Sequence, residues 1–363
     1  MATVPNFFYH PRIMEYDFGH GHPLRPERLK RTMSLLAACA EVDLIDPGLA
    51  SDADVLRLHS KEYVDAVKMA GGGDHLPGGF TARYGIGPGD TPSFIGMYEV
   101  SLAYVGGSIR AAEAVRDGAD LAFGIGGGLH HAQRGNASGF CVFNDVALAC
   151  SVLRERFDRV AYVDIDVHHG DGVEALFADD PAVMTCSIHQ MSPGFYPGTG
   201  RAEETGTAGT TVNIPLPNGT TGDIWLDAFR RGIIPLLEEF DPGAIVLQMG
   251  TDPHFDDPLA RLQVSAQEWL GAVESIRDLG KPICATGGGG YNLSTVPRMW
   301  VAAILTLGGI PVPDLIPEPD ATDYGTRTFF DPELPQPRGV GFLEAERALS
   351  ILRAARPKGW QPR

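Results

Sequence analysis

An apolar run that ends in a dense cluster of acids and imidazoles, YVDIDVHHGDG at residues 162–172, constrains this chain more than any other segment. Read as a strand, it sends Asp164, Asp166 and His168 to one face and Ile165 and Val167 to the other. Polar groups on a buried strand face are costly to desolvate unless a divalent cation or paired hydrogen bonds compensate them. The cluster therefore asks for a metal.

Three more apolar runs end in chemistry. Leu121–Ile125 leads into GGGLHH, which places His130 and His131 on a glycine-rich loop, and VLQMGTDPHFDD at 246–257 puts Asp252 just past another strand. Pro282–Thr286 leads into GGGGY, whose glycines let backbone approach a buried centre while the Tyr291 hydroxyl can donate to developing negative charge. In open parallel α/β sheets ligands bind outside the carboxyl ends of the strands, so these exits predict one site.

The residue types suggest a mechanism. Asp166, His168 and Asp252 supply three ligands and leave an open position, as a catalytic zinc site requires. Two carboxylates make the set oxygen-rich, which also suits iron(II) or cobalt(II). A metal so held polarises an amide carbonyl and acidifies a water, Tyr291 is the candidate oxyanion donor, and His130 and His131 are the imidazoles available as base and acid.

Between the motifs, helical patterns near Arg25–Ala40, Tyr98–Arg116, Asn144–Glu155, Thr221–Glu239, Ala266–Leu279 and Thr295–Thr306 alternate with short β-branched runs. The runs are Leu121–Ile125, Val160–Ile165, Val183–Ile188, Thr211–Ile214, Ala244–Gln248 and Pro282–Thr286. Alternation of this kind implies a parallel sheet covered on both faces. No linker or repeat divides the 363 residues, so one domain is expected, with a catalytic core at about 9–310 and a tail, 311–363, that straps the surface and ends in a helix at Leu343–Ala355. A 44% hydrophobic content suffices for a large core, and no apolar run approaches the ~18–20 residues needed to span a bilayer. The start of the chain carries no visible export signal, and the five cysteines lack CxxC spacing, so a cytoplasmic protein with reduced thiols is expected. Beside the site, Cys141 reads as a small buried hydrophobe rather than a nucleophile. The formal net charge of −17 argues against a nucleic-acid surface.

Taken together, the motifs resemble the zinc-dependent histone deacetylase family, and in particular its bacterial acetoin-utilisation type. The resemblance runs from Tyr16 to about Leu307 through YDFGHGHPLRPERLKRTMSLL, LRLHSKEYVDAV, GLHHAQRGNASGFCVFNDVALA, YVDIDVHHGDGVEALF, VMTCSIHQMSPGFYPGTG, LQMGTDPHFDDPL and GGGGYNLSTVPRMW, in the family's order. It implies the three-layer αβα arginase/deacetylase fold with a central, mostly parallel sheet. It also implies hydrolysis of N-ε-acetyl-lysine in a protein or peptide to lysine and acetate. By the family pattern His131 is the general base and acid, His130 assists electrostatically, Asp164 pairs with His130, and Asp171 pairs with His131. A structural potassium ion would be bound by Asp164 and Ser187 with main-chain carbonyls of Asp166, His168 and Ile188. Phe140 and Tyr196 would line the substrate tunnel with Gly139, Leu259 and Gly289 around it, Asp90 would be the rim carboxylate, and Arg28 would belong to the inner product channel. An acyl-CoA synthetase regulated by acetylation is the attractive protein partner by the same analogy.

Where the chain departs from the eukaryotic pattern, substrate choice is affected. Tyr196 stands where Phe is usual, and GGGDHLPGGFTARYGIGP adds a glycine-rich rim loop across residues 70–89. Hydrolysis of acetylated polyamines, or of longer acyl chains on lysine, would use the same site, although polyamine enzymes often carry an acidic gatekeeper where this chain has Leu259. An arginase-type ureohydrolase needs further bridging carboxylates, and Gly170 supplies none. A non-catalytic reader would have no need of Tyr291, His130, His131 and all three ligands. His169, His20, His22 and His254 read as supporting, loop or rim histidines.

Overall fold

Eight strands form one sheet in the computed structural model, which describes residues 2–73 and 75–355. They are β1 (Thr3–Phe8), β2 (Glu41–Ile45), β3 (Leu121–Gly124), β4 (Val160–Asp164), β5 (Val183–Gln190), β6 (Thr211–Leu216), β7 (Ala244–Gln248) and β8 (Ile283–Thr286). Their order is β2-β1-β3-β8-β7-β4-β5-β6, and every pairing is parallel. The central strands β4, β7 and β8 are buried at every residue, as strands covered on both faces must be.

Strands β3 to β8 lie where the apolar runs predict. The sheet also contains β1 and β2, which the sequence reading misses. Pro5 demotes Thr3–Phe8 as a strand, and the pairing with β2 is indeed irregular between Val4 and Phe7, where Asn6 adopts φ 47°. The Asn6 amide donates instead across the sheet to the Leu121 carbonyl at 2.9 Å. β2 is a short edge strand with little burial, so it carries no strong periodic signal.

On one side the helices Glu27–Cys39, Thr295–Leu307, Ala266–Arg277 and Gly222–Phe240 pack in succession on one another. On the other, Met97–Arg116 packs on β3 and on the helices Lys61–Gly71 and Asp145–Leu153. The first helix begins at Glu27 rather than Arg25 because Pro26 occupies the N-cap. Helices at Lys61–Gly71 and Asp171–Phe177 are additions to those the sequence predicts. None of the helices is long and apolar enough to cross a membrane among the described residues.

After Ile310 the tail crosses the surface through a short helix, Asp320–Tyr324, and ends in Phe342–Ala354, which packs on β6 and on Gly222–Phe240. The part of the expected tail at 356–363 lies outside the described residues.

Register aligns the strand ends that matter. Gly124 pairs with Thr286, Thr286 with Gln248, Gln248 with Asp164, and Asp164 with Ser187. The exits of β3, β8, β7 and β4 therefore leave the sheet at one level, side by side, while β5 runs on past Ser187 to Gln190. This row sets the floor of the site.

Candidate metal centre and active site

β4 stops at Asp164, one residue earlier than the sequence reading, because carboxylates take over the backbone donors. Asp164 Oδ1 accepts the Asp166 N–H at 3.0 Å, and Asp166 Oδ1 accepts the His168 N–H at 2.9 Å. Successive side-chain turns of this kind compete with the ladder. Asp166 and His168 thus sit on a turn beyond the strand and not on a strand face.

There they meet Asp252 from the exit of β7. His168 Nδ1 lies 3.1 Å from both Asp166 Oδ1 and Asp252 Oδ2, and the candidate ligand atoms of the three buried residues all fall within 4.8 Å of one another. The remaining carboxylate oxygens are tied down: Asp166 Oδ2 accepts from Gln248 Nε2 at 2.8 Å and from the Gly289 N–H at 2.7 Å, and Asp252 Oδ1 accepts from the Val167 N–H at 2.9 Å. Gly289 is needed for that approach, since a Cβ there would lie 2.2 Å from Asp252 Oδ2.

Charge at the cluster points the same way. Burial and the neighbouring Asp166 carboxylate push Asp252 up to about 7. Burial opposes protonation of His168, but its hydrogen bonds to Asp166 and Asp252 outweigh that and hold its pKa up to about 10. Two buried carboxylates around one imidazole, all oriented by outer hydrogen bonds, form a donor set that a divalent cation fits.

The histidine dyad comes from the β3 exit. His130 Nδ1 donates to Asp164 Oδ2 at 2.7 Å, and His131 Nδ1 donates to Asp171 Oδ1 at 2.6 Å. Tyr162 donates its hydroxyl to the same Asp164 oxygen at 2.6 Å. Burial works against the His130 cation, yet Asp164 and Asp166 raise its pKa to about 9. For His131, burial and then the adjacent His130 charge dominate, and the pKa falls to about 3. Asp171 moves below the usual carboxylate range because its bond to His131 and the nearby histidines outweigh burial.

Tyr291 is held by its backbone, whose N–H donates to Asp257 Oδ2 at 2.8 Å, while burial raises its phenol well above the usual range and keeps it a neutral donor. Its ring meets Phe140 edge-on at 5.9 Å. Phe140 itself adopts φ 66°, a strained conformation for a side chain of that size. Tyr16 buttresses it by donating to the Phe140 carbonyl at 2.7 Å. Next to it, Gly139 donates its N–H to Asp90 Oδ2 at 2.6 Å and packs so closely on His131 that a Cβ would lie 2.2 Å from the ring. Tyr196 stands edge-on to His131 at 4.9 Å. Leu259, partly exposed at 36%, is tied through its N–H to Asp257 Oδ1 at 2.9 Å.

Arg28 is buried, and Nη1 donates to the carbonyls of Gly288 and Gly290 at 2.7 and 3.1 Å. A small cavity is lined by Leu24, Cys141, Gly288 and Tyr291 together with His130, His131 and Asp166. Cys141 is buried there with its thiol pushed up by burial, in line with a packing role. Ser187 faces Asp164 across the β4–β5 pairing and bonds His189 Nδ1 at 2.9 Å, and Ile188 beside it is buried. Part of the expected rim loop forms a helix, Phe80–Tyr84, whose last carbonyl accepts the Ala137 N–H at 2.8 Å.

Four residues belong to the site that sequence reasoning did not single out. Asp145 accepts the N–H groups of Gly128 and Leu129 at 2.9 and 2.8 Å and the Ser108 hydroxyl at 2.5 Å, fixing the loop that carries the dyad. Phe195 stacks on the His168 ring at 5.1 Å with a 6° interplanar angle. Asp257 anchors both Tyr291 and Leu259. Asp331, from the tail, accepts from His254 Nε2 at 3.0 Å and from Arg298 at 2.6 Å. His254 is therefore a buried anchor behind the Asp252 loop and not the rim or loop histidine expected. His20 is exposed, and His22 packs against Phe140 at 4.6 Å. His169 is buried and bonds Glu174 and Thr199, each at 2.9 Å.

Comparison with known proteins agrees with this arrangement. Residues 22–307 match the model of the histone deacetylase domain. The chain is 39% identical over 327 residues to the acetoin utilization protein AcuC of Bacillus subtilis (strain 168), covering 86% of this chain and 84% of that protein. Histone deacetylase 6 of Arabidopsis thaliana is 36% identical over 329 residues, 88% of this chain and 69% of the relative. Among solved structures, a histone deacetylase homologue complexed with SAHA superposes with a TM-score of 0.87 at 28% identity, covering 97% of this chain and 99% of that one. A homologue from Aquifex aeolicus gives the same TM-score at 27% identity, with 98% and 100% covered. The level strand exits, the buried Asp-His-Asp set and the carboxylate-backed dyad thus occur in a chain that belongs to the histone deacetylase family and is similar to its acetoin-utilisation type.

Proposed function

We propose that this protein is a metal-dependent lysine deacetylase that hydrolyses N-ε-acetyl-lysine in a protein or peptide to lysine and acetate. The observation that carries the reading is the juxtaposition of the Asp166, His168 and Asp252 donor set with a neutral, carboxylate-oriented His131. A zinc ion held by these three residues, or iron(II) or cobalt(II), supplies Lewis acidity toward the amide carbonyl and a water.

The chain's own residues do the rest. His131 takes the proton of the attacking water on Nε2 and passes it to the leaving amine, with Asp171 holding Nδ1 in the protonated tautomer. The His130 cation, backed by Asp164, adds positive charge beside the developing oxyanion, and Tyr291 donates its hydroxyl to that oxygen. Phe140 and Tyr196 flank the lysine stem, with Gly139, Gly289 and Leu259 shaping the passage. Asp90 keeps one carboxylate oxygen beyond its bond to Gly139 for the substrate backbone. Arg28 would receive acetate, a role supported by its buried guanidinium bound to the Gly288 and Gly290 carbonyls, just ahead of Tyr291 in the chain's GGGGY run. Asp164, Ser187 and carbonyls of Asp166, His168 and Ile188 would hold potassium, a reading supported by the facing of Asp164 and Ser187 across the sheet. An acetylated acyl-CoA synthetase is a fitting substrate protein by family analogy, and a cytoplasmic setting fits both.

Acetate release from an acetyl-lysine peptide by zinc-loaded protein tests the reading, with Tyr291→Phe as the comparison. The variant should keep its metal and lose ~10²–10³ in kcat. Unchanged turnover would remove Tyr291 from the mechanism, and no release by the wild type would overturn the reading.

A further inference from the structure

Two hydroxyls meet across the tunnel wall: Ser138 Oγ and Tyr196 Oη form a hydrogen bond between loops from separate parts of the chain. Ser138 sits in a tight turn whose backbone is doubly paired, Ser138 N–H to the Cys141 carbonyl at 3.1 Å and Cys141 N–H to the Ser138 carbonyl at 2.8 Å. The adjoining Gly139 is bound to Asp90, so residues 90, 138–139 and 196 are joined in one hydrogen-bonded arc.

Among the described residues that bond is the one hydrogen bond that ties the tip of the Tyr196 loop to another part of the chain. The loop's base is firmly held, by Gln190 N–H to the Val167 carbonyl at 2.8 Å on one side and by the Gly200 contacts to Glu204 and His189, at 3.0 and 2.9 Å, on the other. Its tip, residues 193–198, is otherwise hydrogen-bonded only within the loop among the described residues, Phe195 N–H to the Ser192 carbonyl at 3.0 Å. The tip carries Phe195 over His168 and Tyr196 against His131. Freed, it can swing away from the opposite wall and widen the passage.

We propose that the Ser138–Tyr196 hydroxyl pair is a clasp that sets the width of the tunnel and so excludes acyl groups bulkier than acetyl. The selectivity half of this proposal rests on the deacetylase reading above, because the acyl group must pass the clasp to reach the centre. Either hydroxyl can donate to the other, and removal of either partner opens the same link.

Steady-state kinetics of wild type, Tyr196→Phe, Ser138→Ala and the double variant test it, using one peptide carrying acetyl-lysine and the same peptide carrying isobutyryl-lysine. Each single variant should raise the ratio of kcat/KM for isobutyryl over acetyl by about two- to tenfold, the reach of one hydrogen bond. The double variant should gain no more than either single one, since all three lack the same bond. An unchanged ratio, or gains that multiply, would overturn the clasp. Hydrogen–deuterium exchange gives an arm independent of activity: the amides of Gly194, Phe195, Tyr196 and Gly198 should exchange faster in all three variants, and unchanged exchange would also overturn it. If the metal-loaded wild type hydrolyses neither peptide, the deacetylase reading and the selectivity half fall together, while exchange still decides whether the clasp holds the loop.

Discussion

His130 Nε2 and His131 Nε2 stand 3.0 Å apart, with each ring held from behind by its own carboxylate. Both Nδ1 atoms must donate to those carboxylates, so the contact between the two Nε2 atoms needs one proton and one lone pair. The raised pKa of His130 and the depressed pKa of His131 assign the proton to His130. The lone pair that remains is on His131, the ring proposed above as the base.

This asymmetry predicts unequal losses. His131→Ala should cost ~10²–10⁴ in kcat, the usual worth of a positioned general base, and His130→Ala distinctly less. Kinetics on an acetyl-lysine peptide with metal content measured alongside checks it. Equal losses, or a larger loss at His130, would reverse the assignment.

Metal analysis tests the donor set. After mild dialysis the chain should carry about one equivalent of divalent metal, since among the described residues Asp166, His168 and Asp252 form a single three-ligand group. Removal with a chelator should abolish activity, and zinc, iron(II) or cobalt(II) should restore it. Two equivalents of manganese together with urea production from arginine would refute the assignment.

The tail anchor should show in acid. Burial tends to raise Asp331, but its bonds and charge contacts with His254 and Arg298 outweigh that and lower its pKa to about 2. A carboxylate depressed below its unfolded value of ~3.9 contributes stability that is present above about pH 4 and lost as pH falls toward 2. Asp331→Asn should therefore unfold at lower denaturant than wild type at pH 7, by roughly 2–3 kcal/mol. That gap should close between about pH 4 and pH 2. A gap that persists at pH 2 would mean the charge of Asp331 is not what stabilises.

What the sequence makes legible follows from local rules, and what it hides follows from tertiary ones. Asp252 and Tyr291 can be read because each follows an apolar strand, where a polar group is conspicuous. Asp145 cannot: at the start of a helix beside Asn144 it reads as an ordinary N-terminal acid, and only the fold turns it back onto the Gly128 and Leu129 N–H groups. Asp331 lies 77 residues from His254 in a proline-rich tail with no periodicity to mark it. Phe195 was passed over for its neighbour Tyr196 because a ring stacked on a histidine leaves no spacing signal. His254 misled in the same way, since its partners come from a helix and the tail and neither is near in sequence.

The most direct test of the central claim compares kcat/KM of the zinc-loaded protein for an acetyl-lysine peptide and for acetylated polyamines. In the proposed reading Asp90, bound to the Gly139 N–H, meets the backbone amides that a polyamine lacks, and Leu259 offers no negative charge to a polyamine's distant ammonium group. Higher efficiency on the peptide is the predicted result. Higher efficiency on any acetylated polyamine would contradict the account and make the site one for small-molecule amides.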